Sequence, residues 1–463
     1  MDIGQGSGCR ASRVKSLVHD DVGMTAMEGE VRTCEAGSFS GNRDSGCIEF
    51  KGIRYAESER YGPPVQYRYP EGVHECLEPS PYCIQNEARV EGYLLGIYYR
   101  EKPQTESCQF LSITVPDDSD SDSGLPVMVW FHGGSYKNGG CENYVYDRRL
   151  LSREQKVAVI GVNYRLSIFG FVRDREGGLA NNGLLDCIEA LRWIKRNVSA
   201  FGGDPDNVTI FGQSAGADIA RCIMLSEGTE ELYRRAIVES APLGTYGTRD
   251  EMDSRILEEL NSYPIDATVE ELRSALDSIL SHVTEKSSAK EMPFGPHFGV
   301  YPLPNVEDIP KRMAEVSDHP MLIGSNTREV MAYIGGDAKL KRYYRSPLTR
   351  WLVVRKVNEA TDRIFRVPVR RYAELYSQCG GTTYHYSFFW MDGRSFVGAC
   401  HGAEIPLIFG ASGFREGSDI TMGLSLADID ETGRPIREIW AGFARDGAIC
   451  SMSVDGIIDI ERL

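Results

Sequence analysis

The 463-residue sequence predicts an α/β protein whose central, mostly parallel twisted sheet is flanked by helices. Four apolar runs rich in β-branched residues carry that expectation: Leu125–Phe131, Val157–Val162, Val208–Phe211 and Ala236–Val238. Each has the length of a strand and lacks polar alternation, as strands buried on both faces do. Between the second and third, Leu184, Leu185, Ile188, Leu191, Ile194 and Val198 keep helical spacing, with Asn181 and Asn182 ahead of them as candidate caps. Strands that alternate with helices are joined by crossovers and therefore run parallel.

The remaining elements are placed around these four. Gly29–Arg32 and Ile48–Tyr55 alternate enough for short strands of a peripheral hairpin. Met321–Ile323 and Tyr384–Trp390 are two further strand candidates. The Asp/Ser run Asp117–Gly124 reads as a solvated loop, and residues 250–285 as two charged amphipathic helices. Lys339–Arg371 holds eleven Lys or Arg against Glu359 and Asp362. It reads as the wet face of a helical insertion, and the sharper alternative is attraction of an anionic substrate or partner. No Pro- or Gly-rich linker divides the chain, so residues 1–24 are expected to be a flexible N-terminal segment and 25–463 a single domain.

Charge and composition narrow the function. The balance of 51 basic and 67 acidic residues, a net charge of −16, disfavours nucleic acid and anionic membranes as partners. The longest apolar runs are too short to span a bilayer. Met1–Met24 contains no apolar core of signal-peptide length, which implies a cytoplasmic protein. Twelve irregularly spaced cysteines form no CxxC pair and no compact Cys/His cluster, so they read as reduced, buried thiols rather than metal ligands. In that compartment the sequons at Asn197 and Asn207 go unglycosylated.

The chemistry centres on Gly212-Gln213-Ser214-Ala215-Gly216, which follows the third strand directly. Glycines two places either side of Ser214 permit a tight strand-to-helix reversal that exposes the hydroxyl. Such a serine needs a base, and in this type of fold the chain order is serine, acid, histidine. Of the five histidines beyond Ser214, His385 falls inside a strand, whereas His401 sits in a Gly-rich turn after the last of the predicted parallel strands. Loops at strand ends are where parallel sheets place working groups. Glu329, just past Met321–Ile323, is the candidate acid that would fix the imidazole tautomer. The turn His132-Gly133-Gly134-Ser135 ends the first central strand, so the N–H groups of Gly134, Ser135 and Ala215 are candidate oxyanion donors. Ser240 is a candidate support for Glu329, with a purely structural role the alternative.

With these residues assembled, the chain resembles the type B carboxylesterases, the carboxylesterase/cholinesterase family of α/β-hydrolases. The resemblance rests on FKGIRYA (50–56), a weakened ESCQFL (106–111), LPVMVWFHGG (125–134), NYRLSIFGF (163–171), the thirty-six residues ending at Gly216, and HGAEIPLIFG (401–410). It implies an α/β-hydrolase fold with helical insertions around the active-site pocket. It also implies a Ser214, Glu329, His401 triad and hydrolysis of small-molecule carboxylic esters through an acyl-enzyme. No metal or organic cofactor is expected.

Departures from the family pattern qualify this. Gln213 replaces the usual Glu before the nucleophile, which removes a negative charge and weakens any preference for cationic substrates. Ser135 replaces a usual Gly or Ala. Cys83 and Cys108 align with a pair that closes a disulfide loop in secreted relatives, and here they are a disulfide or proximal thiols, reduced in a cytoplasmic protein. No Trp lies between them, which argues against cholinesterase activity. Only 72 residues separate Glu329 from His401, so a trimmed insertion and a wider or shallower acyl site are expected. The alternatives are a non-catalytic cholinesterase-like binding module, and an amidase, thioesterase or lactonase on the same fold.

Overall fold

The computed structural model describes residues 29–86, 102–172, 180–283, 292–335, 337–414, 418–421 and 423–463. The expected N-terminal segment 1–24 lies outside them. Among the described residues the main sheet has thirteen strands. Twelve are β1 (Glu30–Cys34), β2 (Gly37–Asp44), β3 (Cys47–Arg54), β4 (Phe110–Pro116), β5 (Leu125–Phe131), β6 (Ala158–Val162), β7 (Gly203–Gln213), β8 (Arg235–Glu239), β9 (Met321–Asn326), β10 (Thr383–Phe388), β11 (Met452–Val454) and β12 (Ile458–Arg462). Their spatial order is β1-β2-β3-β4-β6-β5-β7-β8-β9-β10-β12-β11, and Val73–Glu75 lies beside β2. The six from β6 to β10 are mutually parallel, and both flanks are antiparallel apart from Val73–Glu75, which pairs parallel with β2.

The apolar runs are continuous because both faces of these strands are covered. On β5, Val127, Val129 and Phe131 enter one core cluster, while Met128 and Trp130 enter the other. Ile237 on β8 and Leu322 on β9 likewise face opposite to their neighbours Ala236, Val238 and Ile323. One face is covered by α1 (Asn182–Asn197) and α2 (Ala215–Leu225). The charged pair expected over 250–285 is present as α3 (Arg249–Leu260) and α4 (Val269–Ser278), the latter started by a capping box between Thr268 and Glu271. The basic segment, set between β9 and β10, folds as α5 (Ala338–Arg345), α6 (Arg350–Thr361) and α7 (Val367–Gln378). The long α8 (Leu426–Asp446) covers the second face with Ile436, Trp440 and Phe443.

Three expectations need correction. Gly29–Arg32 and Ile48–Tyr55 do not form a hairpin with each other, because β2 lies between β1 and β3. Its sequence, GSFSGNRD, offers no apolar run, and it is held by backbone pairing with Phe39 as its deep anchor. Asn181 and Asn182 make no side-chain cap of α1. They tie loops instead: Asn181 accepts from the His297 N–H and donates to the His297 carbonyl, and Asn182 donates to the Tyr61 carbonyl. The last parallel strand ends at Phe388 rather than Trp390.

Candidate active site

All the candidate groups converge on one end of the parallel strands, because each follows the carboxyl end of a different one. The HGG turn follows β5, Ser214 follows β7, Glu329 follows β9, and His401 lies on the connection after β10. Ser214 is the single residue between β7 and α2, at φ 60° and ψ −122°. A non-glycine residue there costs about 1–3 kcal/mol, and the packing around it must hold it. Its N–H donates to the Glu239 carbonyl at 2.9 Å, and its carbonyl accepts from the Asp218 N–H at 3.1 Å. The flanking glycines have the reason the sequence suggested: a Cβ on Gly216 would lie 1.9 Å from the Phe131 carbonyl oxygen, and one on Gly212 would lie 2.5 Å from Gly216.

The His401 imidazole is oriented by two contacts. Its Nδ1 lies 2.6 Å from Glu329 Oε2, and the backbone N–H of His401 donates to the Glu329 carbonyl at 3.1 Å. A carboxylate only accepts, so Nδ1 carries the proton and Nε2 presents a lone pair. That lone pair points at the turn bearing the serine: Gln213 Nε2–H donates to it at 3.2 Å. The other oxygen of Glu329 accepts from the Asn326 N–H at 2.8 Å, and its side chain is fully buried. The Phe365 ring backs the imidazole at 4.9 Å between centroids.

Opposite the histidine, the turn after β5 is pressed against the serine. A Cβ on Gly133 would fall 3.1 Å from Ser214 Cβ and 3.0 Å from Gln213 Oε1. Gly134, Ser135 and Tyr136 all take positive φ, at 118°, 56° and 60°. The N–H groups of Gly134, Ser135 and Ala215 donate to no protein acceptor among the described residues. Tyr136 fixes the turn to α2 by donating its hydroxyl to Asp218 Oδ2 at 2.7 Å, and Arg221 holds the other carboxylate oxygen. His132 is buried under Tyr164, and burial lowers its pKa to about 4.

Behind the histidine lies a carboxylate that sequence reasoning missed. Glu404 is fully buried three residues after His401, where Asn326 Nδ2 and, at 3.4 Å, the Ser240 hydroxyl donate to it. Ser240 therefore reaches Glu404 rather than Glu329. The spacing H-x-x-E was the available signal. Burial, and then the charge of Glu329, raise the Glu404 pKa to about 7. A third buried carboxyl, Glu239, accepts from Trp440 Nε1 at 2.6 Å and is also raised by burial. Below its raised pKa the folded protein keeps a proton on Glu404 that the unfolded chain releases above about 4.5. This side chain thus makes stability fall as pH rises from about 4.5 to 7, by on the order of 3 kcal/mol. Buried His132 and His385, both lowered to about 4, work in the opposite direction. The difference between wild type and Glu404→Gln isolates the term: in urea unfolding across that window, the variant should gain relative stability as pH rises.

Cys83 and Cys108 are both buried and free; burial first, then the neighbouring Cys83 thiol, raises the Cys108 pKa. Cys83 Sγ also accepts from the Leu166 N–H at 3.2 Å. His385 lies on β10 beside Arg370 and Glu461, away from this cluster. Among the described residues, no group of three or more His, Cys, Asp or Glu side chains could hold a metal ion.

Residues 27–360 match the family model described as "Carboxylesterase family". The chain belongs to the carboxylesterase family. This carboxylesterase is 32% identical over 426 residues to a Rhodococcus erythropolis protein described as "Probable N-octanoylanthranilate hydrolase", across 90% of this chain and 93% of that relative. It is 30% identical over 464 residues to the para-nitrobenzyl esterase of Bacillus subtilis (strain 168), across 91% of each. Its fold matches a thermophilic PNB esterase with a TM-score of 0.73 at 26% identity, covering 94% of this chain and 98% of that one. The carboxylesterase is an α/β-hydrolase and a carboxylic-ester hydrolase. No helix among its described residues is long and apolar enough to cross a membrane.

Proposed function

We propose that the protein hydrolyses small-to-medium carboxylic esters through an acyl-enzyme, with Ser214 as nucleophile, His401 as base and Glu329 as the acid. The observation that carries this reading is the 2.6 Å bond from His401 Nδ1 to buried Glu329, which turns the Nε2 lone pair toward the Gln213–Ser214 turn. His401 takes the Ser214 proton as Oγ attacks the ester carbonyl, then returns it to the leaving alcohol. The oxyanion is met by the N–H groups of Gly134, Ser135 and Ala215, each worth about 10²–10³ in turnover. Water, deprotonated by His401, releases the acid in the second half. Gln213 holds Nε2 in the resting enzyme and yields it to the serine during turnover. The free cysteines are consistent with a cytoplasmic setting.

One observation favours a second reading, cleavage of an N-acyl bond: the Rhodococcus relative is named for an N-octanoyl substrate. Both readings share the acyl-enzyme and differ in the leaving group. Fluorophosphonate labelling of wild type and Ser214→Ala tests the shared part, and equal labelling of both would remove Ser214 from the mechanism. Turnover of p-nitrophenyl esters against matched p-nitroanilides, from acetyl to palmitoyl, separates the two. Faster anilide cleavage would displace the ester reading.

A further inference from the structure

We infer that the α5–α6 hairpin is a docking surface for an anionic lipid–water interface. The hairpin, residues 338–361, carries seven basic side chains against one acidic one, Glu359, which pairs with Arg355 and Lys356 at 2.8 Å each, while Lys341 pairs with Asp419 at 3.4 Å. At its turn Leu348 is 84% exposed, Trp351 59% and Leu352 44%. A groove of about 440 Å³ runs beside them, lined by Val330, Ile334, Leu340, Leu352, Val353 and Val357. Lys356 also lines it, and Lys339, Arg342, Arg345, Arg350 and Arg355 lie exposed along the same two helices.

Two physical arguments select lipid as the occupant. Protruding Leu and Trp side chains surrounded by Arg and Lys match the pattern of interfacial anchoring: apolar tips enter the acyl boundary while guanidinium and ammonium groups stay at headgroup level. Charge complementarity is local. Opposite charges elsewhere on this net-acidic chain are screened beyond a Debye length of about 10 Å at 0.1 M salt, so a cluster at the contact outweighs a distant net charge.

The hairpin is also joined to the catalytic groups at both ends. Val330, on the groove wall, directly follows Glu329, and Phe365, just past α6, packs on His401. An interface bound here lies against the insertion that adjoins the catalytic groups, where apolar esters partitioned into lipid are concentrated. The inference goes beyond the esterase reading, and its binding test does not depend on it.

Trp130, Trp193, Trp390 and Trp440 are buried, so Trp351 is the single solvent-facing tryptophan of the five in the chain. Full-length protein is titrated with phosphatidylcholine vesicles, with and without phosphatidylglycerol, at low and high salt. The expected result is a blue shift and co-sedimentation with the anionic vesicles only, both reversed by salt, and Trp351→Asp, which lacks the reporter, should no longer co-sediment. A Lys339→Ala, Arg342→Ala, Arg345→Ala variant should bind on the order of 10²-fold more weakly. Both variants should hydrolyse a short water-soluble ester at the wild-type rate, which shows that they are folded and separates failure of this inference from failure of the catalytic one. Equal binding to both vesicle types, binding to neither, or undiminished binding by the triple variant would overturn the inference. So would preferential binding of polyglutamate, or a dimer in light scattering that Leu348→Asp dissociates, each of which assigns the face to a protein.

Discussion

Ser214→Ala should lower kcat/KM for an activated ester by about 10⁴–10⁶, with little change in stability. The loss is large because the proposed mechanism makes the hydroxyl the bond-forming atom and the neighbouring residues offer no substitute: Gln213 and Ala215 carry no nucleophile. The change removes one oxygen from a side chain that is 5% exposed, and the backbone strain at φ 60° remains the same for alanine. Urea unfolding should therefore shift by no more than about 0.5–1 kcal/mol. A residual rate above water is expected, since the proposed oxyanion donors belong to the backbone and stay in place. Comparable loss of activity and stability would mean that the variant had misfolded, and steady-state kinetics beside the unfolding curve distinguishes the two.

Glu329→Gln should cost about 10⁴ in kcat while leaving KM nearly unchanged. The reason is geometric. Glu329 Oε1 accepts from the Asn326 N–H and Oε2 faces His401 Nδ1. A glutamine retains its carbonyl oxygen at the Asn326 donor, so its NH₂ group faces Nδ1. The imidazole must then accept at Nδ1 and carry its proton on Nε2, where it cannot take one from Ser214. Glu329→Asp keeps an acceptor but shortens the reach, and should recover part of the rate. The Glu329 charge is also the second cause of the raised Glu404 pKa, so Glu329→Gln should move that titration toward lower pH. An NMR titration of the labelled carboxyl checks this independently of turnover.

What could be read from the sequence is what local pattern encodes. Leu125–Phe131 was legible to the residue because a strand covered on both faces must be apolar throughout, and it is followed at once by the glycines whose lack of Cβ lets the turn meet Ser214. Gly212 and Gly216 carried their own reason in their spacing. The meeting of His401 with Glu329 was legible because parallel strands place loops at one edge, so chain order stood in for distance. Glu404 was not found, since a glutamate reads as solvated until the fold buries it behind His401 and supplies Asn326 and Ser240 as donors. Strands β2 and β4 were missed for different reasons. Gly37–Asp44 has no apolar signature at all. Phe110–Pro116 mixes Ser and Thr into a strand whose polar side chains are buried by tertiary packing, with Ser112 bonded to Glu142 and Thr114 to Arg148. The tie between Gln213 and His401 spans 188 residues, and no local rule reports it.

The most direct measurement is capture of the covalent intermediate. Wild-type protein turning over p-nitrophenyl octanoate is quenched in acid within the first turnovers, digested, and its peptides weighed. An octanoyl group on the peptide that carries Ser214, absent when His401→Ala is treated alike, is the expected result. An acyl group on any other residue, or steady hydrolysis with unmodified Ser214 and no burst of p-nitrophenol, would contradict the triad.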